Sequence, residues 1–152
     1  MNRAFGAMVQ RLPAKYTALM SMKPVVAENI PANTSKGGVY LFSEGKNHLY
    51  AGRTKRRISR RVRAHFGTAK DLPFAWRLAR EKTGMQAAYK GESTRKALLK
   101  NPKFKAAYDK AKARIRKMQV RYVGERDPVR QALLEVYAAV TSRAKHNDFR
   151  TS

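Results

Sequence analysis

The sequence contains no cysteine, which excludes disulfides, thiolate nucleophiles and cysteine-ligated zinc together. Histidine is scarce: His48, His65 and His146 are too few and too scattered for a dedicated zinc site. The ten acidic residues are dispersed along the chain. That argues against a carboxylate cluster holding two metal ions and favours, if any metal binds, one ion with one protein ligand. No run approaches the roughly 20 apolar residues of a membrane span. Residues 1–12 lack the apolar stretch of a secretory signal. The expectation is an intracellular, cytoplasmic protein with no membrane partner.

Against these absences stands one surplus. Thirty-four Lys and Arg face ten Asp and Glu, a formal charge of +24 on 152 residues. Such a surface collects polyanions, nucleic acid first among them, and implies nucleoid association. The first acidic residue is Glu28, so the opening segment is basic and partly amphipathic, as in an organelle-targeting peptide or a DNA-binding arm. The chain length and the 43% apolar content suit one compact fold with a real core.

The pattern along the chain predicts an α+β fold. Phe5, Met8, Val9 and Leu12, then Tyr16, Leu19 and Met20, recur as in two short helices divided near Pro13. Residues 23–38 read as a connector, with Pro24, Pro31, Asn33 and the Gly37-Gly38 pair opposing regular structure. Residues 38–43 alternate as a strand, 44–47 form a turn and 48–52 return as a second strand. A basic helix over 55–66 carries Ile58, Val62 and Phe66 on one face. Helical segments follow at 73–82, ending near Gly84, at a short piece opened by Ser93, and at 102–117, capped by Asn101. The last has Phe104, Tyr108, Ala111 and Ile115 as its stripe. Residues 118–123 read as a third strand. Asp127 and Pro128 open a final helix to about 143 with Val129, Leu133, Val136 and Val140 as its apolar stripe. The expected organisation is an N-terminal helical arm and connector over 1–37 and a core domain over 38–152, with a helical insertion at about 67–117.

Three groups of residues could carry chemistry. Tyr40 and Tyr50 alternate with apolar neighbours, so antiparallel pairing would place two phenols on one face near Gly52. Tyrosine also favours strands for packing alone. Arg61 and His65, four apart on a helix, offer a phosphate-matching guanidinium and a proton-moving imidazole at one spot, or else a solvated basic face and a half-buried histidine. Glu135 lies within the run Ala132-Leu-Leu-Glu-Val-Tyr-Ala-Ala139 and needs a cation partner, either Arg61 or a divalent metal. Trp76, in Pro73-Phe-Ala-Trp-Arg77, reads as packing rather than as a base-stacking platform.

Gly38-Val39-Tyr40 and Tyr50-Ala51-Gly52 resemble the two signature tripeptides of the GIY-YIG nucleases, with Val39 and Ala51 at the central isoleucines. The run from Arg53 to Phe66 looks like that family's helix bearing its catalytic arginine, here Arg61. His65, four residues on, resembles the restriction-enzyme branch. Leu133-Leu-Glu135 matches the family's metal-binding glutamate, and Asn147 its terminal asparagine. The resemblance covers 38–66 and 118–147 and leaves the arm and the insertion unmatched. It implies a small three-stranded antiparallel sheet flanked by helices and metal-dependent hydrolysis of DNA. It also implies Tyr40, Tyr50, Arg61, His65, Glu135 and Asn147 as site residues, with Glu135 holding magnesium, for which manganese could substitute. Asn147 would orient the phosphate or close the last helix.

Duplex or branched DNA would lie on basic surfaces formed by the arm residues Arg3, Arg11 and Lys15, by Arg53, Lys55, Arg56, Arg57, Arg60 and Arg63 around the basic helix, and by Lys103, Lys105, Lys110, Lys112 and Arg116 of the insertion. With one site per chain, a double-strand break needs a homodimer or two successive nicks. Two other classes stay open: a non-catalytic basic DNA-binding or nucleoid protein on the same scaffold, and an RNA-binding structural protein. Both predict binding without metal-dependent cleavage.

Overall fold

The computed structural model describes residues 1–68, 72–85 and 95–149. Helices α1 (Arg3–Gln10) and α2 (Leu12–Ser21) open the chain, followed by β1 (Val25–Val26) and a 3-10 turn at Ala27–Asn29. The hairpin β2 (Lys36–Glu44) and β3 (Asn47–Arg57) leads into α3 (Ile58–Ala64). Then come α4 (Pro73–Thr83), α5 (Arg95–Lys100), α6 (Pro102–Lys117), β4 (Gln119–Gly124) and α7 (Pro128–Ser142). The α+β class is as the pattern implies, but the antiparallel sheet has four strands, in the order β1-β4-β2-β3. The additional strand lies in the connector, where no regular structure is expected. Its β-branched pair Val25-Val26 bonds alongside Val120 and Gln119, and Pro24 and Pro31 flank this pairing rather than interrupt it.

Strand β2 is central, with both faces covered. Alternation sends Tyr40 and Phe42 into a core with Ile58, Val62, Phe74, Trp76, Phe104 and Ile115, drawn from α3, α4 and α6. Val39 and Leu41 enter a second core with Leu12 and Leu19 of α2 and Leu134 and Ala138 of α7. The sheet is thus a middle layer between two helical layers, and β3 forms one edge. Trp76 is buried against Phe104 and Tyr108. Asn101 caps α6 by accepting from the backbone of Lys103 and Phe104, and Phe104, Tyr108, Ala111 and Ile115 form its buried stripe. Among the described residues no helix is long and apolar enough to cross a membrane.

Two element-level expectations change. Strand β3 continues to Arg57, and α3 starts at Ile58 rather than at 55, because Arg57 still pairs with Lys36 and the Ile58 amide donates to the Ser35 carbonyl at 3.0 Å. Gly38 makes this junction possible, since a Cβ there would overlap the Val123 carbonyl and stand 2.6 Å from the Ile58 side chain.

On α7 the expected stripe of Val129, Leu133, Val136 and Val140 divides: Leu133 packs partly against the second core, while Val129, Val136 and Val140 face water, 51%, 44% and 63% exposed. The buried face is instead Gln131, Leu134, Ala138 and Ala139. Small residues let the helix backbone approach the sheet closely, and Gln131 hydrogen-bonds the Glu125 carbonyl beside Gly37. Those contacts set the roll of the helix against its hydrophobic count. Asp127 caps α7 through the Arg130 amide at 2.9 Å.

Candidate active site

The hairpin register pairs Tyr40 with Gly52 and Phe42 with Tyr50, which makes the two tyrosines diagonal neighbours on one face of the sheet. The Tyr40 ring lies over Gly52, where a Cβ would overlap the phenol. Helix α3 starts directly after β3 and returns across this face, bringing Arg61 and the buried His65 over the hairpin. The Tyr40 hydroxyl lies 2.7 Å from His65 Nε2, with the Arg61 charge acting on it. The imidazole meets both tyrosine rings edge-on, with centroids 5.5 Å from Tyr40 and 5.7 Å from Tyr50. His65 Nδ1 and Arg61 Nε are buried without a hydrogen-bond partner.

Burial dominates the electrostatics. Tyr40 is pushed well above the ordinary phenol range, first by desolvation and then by Tyr50, with Arg61 opposing. Desolvation, and then the charge of Glu135, raise Tyr50 to about 12, while Arg77 and Arg61 act the other way. His65 is lowered to about 3 by burial and then by Arg61. At neutral pH both phenols therefore keep their protons and the imidazole is neutral.

Glu135 lies on α7, which packs on the opposite face of the sheet and touches β3. Its carboxylate acts across that edge strand, and its charge is felt at Tyr50, Tyr40 and Arg61. The ion partner within the chain is Arg53, 4.0 Å away, and not Arg61, one of the two cations that the sequence offered. The reason is strand geometry: Arg53 follows Gly52 on the edge strand, directly beside α7. Desolvation raises the pKa of Glu135, with Arg53 and Arg61 opposing. A contact of 4.0 Å exceeds the ~2.7–2.9 Å of a charge-assisted hydrogen bond. A carboxylate side chain that is desolvated, one-quarter exposed and loosely paired fits a single divalent ion that retains most of its water. Among the described residues no group of three or more His, Asp or Glu gathers as a metal cage.

Asn147 does not close the last helix, whose C-cap is Arg143 in the left-handed region. It binds the edge of β3 instead. Its Oδ1 accepts from the Ala51 amide and its Nδ2 donates to the Ala51 carbonyl, both at 2.8 Å. The amides of Lys145 and His146 donate to the carbonyls of His48 and Leu49 at 3.2 and 2.8 Å. The chain after α7 thus pairs along the edge that carries Tyr50 and Gly52, and both polar atoms of the Asn147 amide are occupied by backbone.

Sequence reasoning passes over two residues here, both from the insertion. Phe74 of α4 stacks on Tyr50 with centroids 4.8 Å apart and 9° between planes. Arg77, one turn on, places its charge near Tyr50 and donates to the His146 carbonyl. Their i, i+3 spacing on an amphipathic helix is the one signal that they share a face.

Several cations expected on the nucleic-acid surface have partners within the chain. Arg53 faces Glu135, Arg57 bonds the Thr34 carbonyl and Arg63 the Ile30 carbonyl. Lys105 pairs with Asp109, Lys112 reaches the Gly67 carbonyl and Arg116 lies over Phe66. Lys55, Arg56, Arg60, Lys103 and Lys110 are exposed. In the arm, Lys15 donates to the Gly124 carbonyl at 2.6 Å, and Arg3 and Arg11 are exposed. No family model matches the chain, and no curated protein or solved structure matches it.

Proposed function

We propose that the chain is a metal-dependent endonuclease of the GIY-YIG type that hydrolyses phosphodiester bonds in DNA. The observation that carries the reading is the convergence of Tyr40, Tyr50, Arg61 and His65 on one face of the hairpin, within electrostatic reach of Glu135 across the edge strand. Fold packing alone would not demand a phenol hydrogen-bonded to a fully buried imidazole.

In this reading water attacks phosphorus and the reaction needs a proton acceptor. For Tyr40 to pass a proton on, its hydroxyl must donate to His65 Nε2, which accepts. That assigns the imidazole hydrogen to Nδ1. Tyr40, protonated at neutral pH, takes the proton of water only as it passes its own to His65. The geometry favours His65 over Tyr50 as the assisting group, because the 2.7 Å contact runs to the imidazole. Tyr40 is only 1% exposed, and the Arg61 charge acts on its hydroxyl. An arriving phosphate draws the guanidinium onto its own oxygens and opens the phenol to water. The same neutralisation of Arg61 relieves part of the repulsion that keeps His65 from accepting a proton. Phe74 holds the Tyr50 ring, and Asn147 holds the Ala51 backbone between the two phenols' strand positions. Glu135 would hold magnesium, which when bound supplies positive charge to the phosphate and to the departing oxygen.

The test is incubation of the purified chain with supercoiled plasmid and with short duplexes, with magnesium and with EDTA. Cleavage in magnesium alone is expected, and Glu135→Ala should abolish it while leaving binding in EDTA nearly intact. One observation favours the binder reading, namely that Arg53 already supplies Glu135 with a cation. Tight binding with no cleavage under any divalent ion would decide for it.

A further inference from the structure

Next to Tyr50, on the side facing the insertion, lies an open cavity of about 460 Å³ between α4 and the segment after α7. Arg77, Arg80 and Glu81 line it from the helix and Lys145, His146, Asn147 and Asp148 from the other side. Glu81 is already engaged by Lys145 at 3.2 Å and by His146 at 3.6 Å. Arg77 donates one guanidinium nitrogen to the His146 carbonyl, which orients the rest of its fork. The Arg80 Nε is buried with no hydrogen-bond partner. Among the described residues neither arginine has a carboxylate within ion-pair distance, so two guanidinium groups meet here without an ion partner.

We propose that Arg77 and Arg80 form a second anion subsite, which takes the phosphodiester next to the scissile one in the bound strand. This rests on the nuclease reading for its biological sense but not for its chemistry. Two planar forks side by side match the oxygens of a phosphate. The position also fits: Phe74 stacks on Tyr50 and its ring lies 5.8 Å from that of His146, which lines the cavity, so a strand whose phosphate meets Arg61 continues past Tyr50 toward it. Helix α4, part of the insertion, would then set the path of the strand and hold the hairpin's second tyrosine through Phe74.

The experiment is a titration of the isotope-labelled full-length chain in EDTA with a thymidine trinucleotide lacking terminal phosphates, followed by the amide signals of Lys145, His146 and Asn147. The wild-type signals should move, and Arg80→Ala should still them and weaken binding about tenfold. Arg80→Lys should fall between the two and serves as the readout if the alanine variant does not fold. Lys23→Ala, which removes an exposed charge elsewhere, should leave the three signals moving as in wild type. Silent wild-type signals, an unchanged affinity in both Arg80 variants, or an equal effect of Lys23→Ala would overturn the subsite. A chain that nicks plasmid yet shows no such shifts refutes the subsite alone; one that shows them and never nicks refutes the nuclease reading alone.

Discussion

A phenol almost sealed from water and bonded to a neutral imidazole depends on the absence of one side chain, that of Gly52. Gly52→Ala should displace the Tyr40 ring without removing any polar group. Its cleavage rate should fall as far as that of Tyr40→Phe, by ~10²–10⁴ if the phenol moves the proton. Binding in EDTA should be unchanged in both, and full activity in Gly52→Ala would show that the ring position does not matter. The titration of His65 gives a second residue-level prediction. Its folded value of about 3 lies below the ordinary 6.5, so the unfolded chain binds the proton first as pH falls. The stability contributed by the neutral imidazole is complete above about pH 6.5 and is lost toward pH 3. His65→Phe should flatten this acid-side decline by up to ~1.4 kcal/mol per pH unit, read from urea melts at several pH values.

Helices and strands place these residues, and two of the elements can be tested separately. The pairing of Asn147 with Ala51 replaces a missing neighbour strand at the edge of β3. Asn147→Leu should leave the Ala51 backbone groups unsatisfied, cost ~1–3 kcal/mol and speed hydrogen exchange at the Ala51 amide. If Asn147 instead acted only on substrate, activity would fall with stability and exchange unchanged. The roll of α7 is the other case. Val136→Lys should shift stability by no more than about 0.5 kcal/mol because that side faces water, whereas Leu134→Ala should cost ~2–5 kcal/mol. Equal losses would mean that the helix is rolled the other way. Hydrophobic periodicity alone selects the valine side, since it counts apolar residues and ignores how closely Ala138 and Ala139 let a helix approach a sheet.

Across the whole molecule the charge of +24 is the dominant long-range quantity. Affinity for duplex DNA should fall steeply with salt, and replacing one exposed arginine, Arg60, should reduce the log-log slope by about 0.9. Replacing Arg57 or Arg63, whose guanidinium groups already serve backbone carbonyls, should change stability more than slope. A slope unaffected by Arg60→Ala would place nucleic acid on another face.

Much of this architecture was legible in local pattern. The alternation of residues 38–43, the caps at Asn101 and Asp127, the stripe of α6 and the hairpin that sets Tyr40 beside Tyr50 each depend on residues within a few positions of one another. Period and capping chemistry are enough to specify such features. Tertiary packing alone decided that Glu135 meets Arg53, that Asn147 binds a strand edge, that Phe74 and Arg77 join the site, and that the valines of α7 face outward. Those outcomes depend on which sheet edge stays open and how each helix rolls to bring its backbone close. Both come from contacts summed over segments far apart in the chain, which no local period encodes.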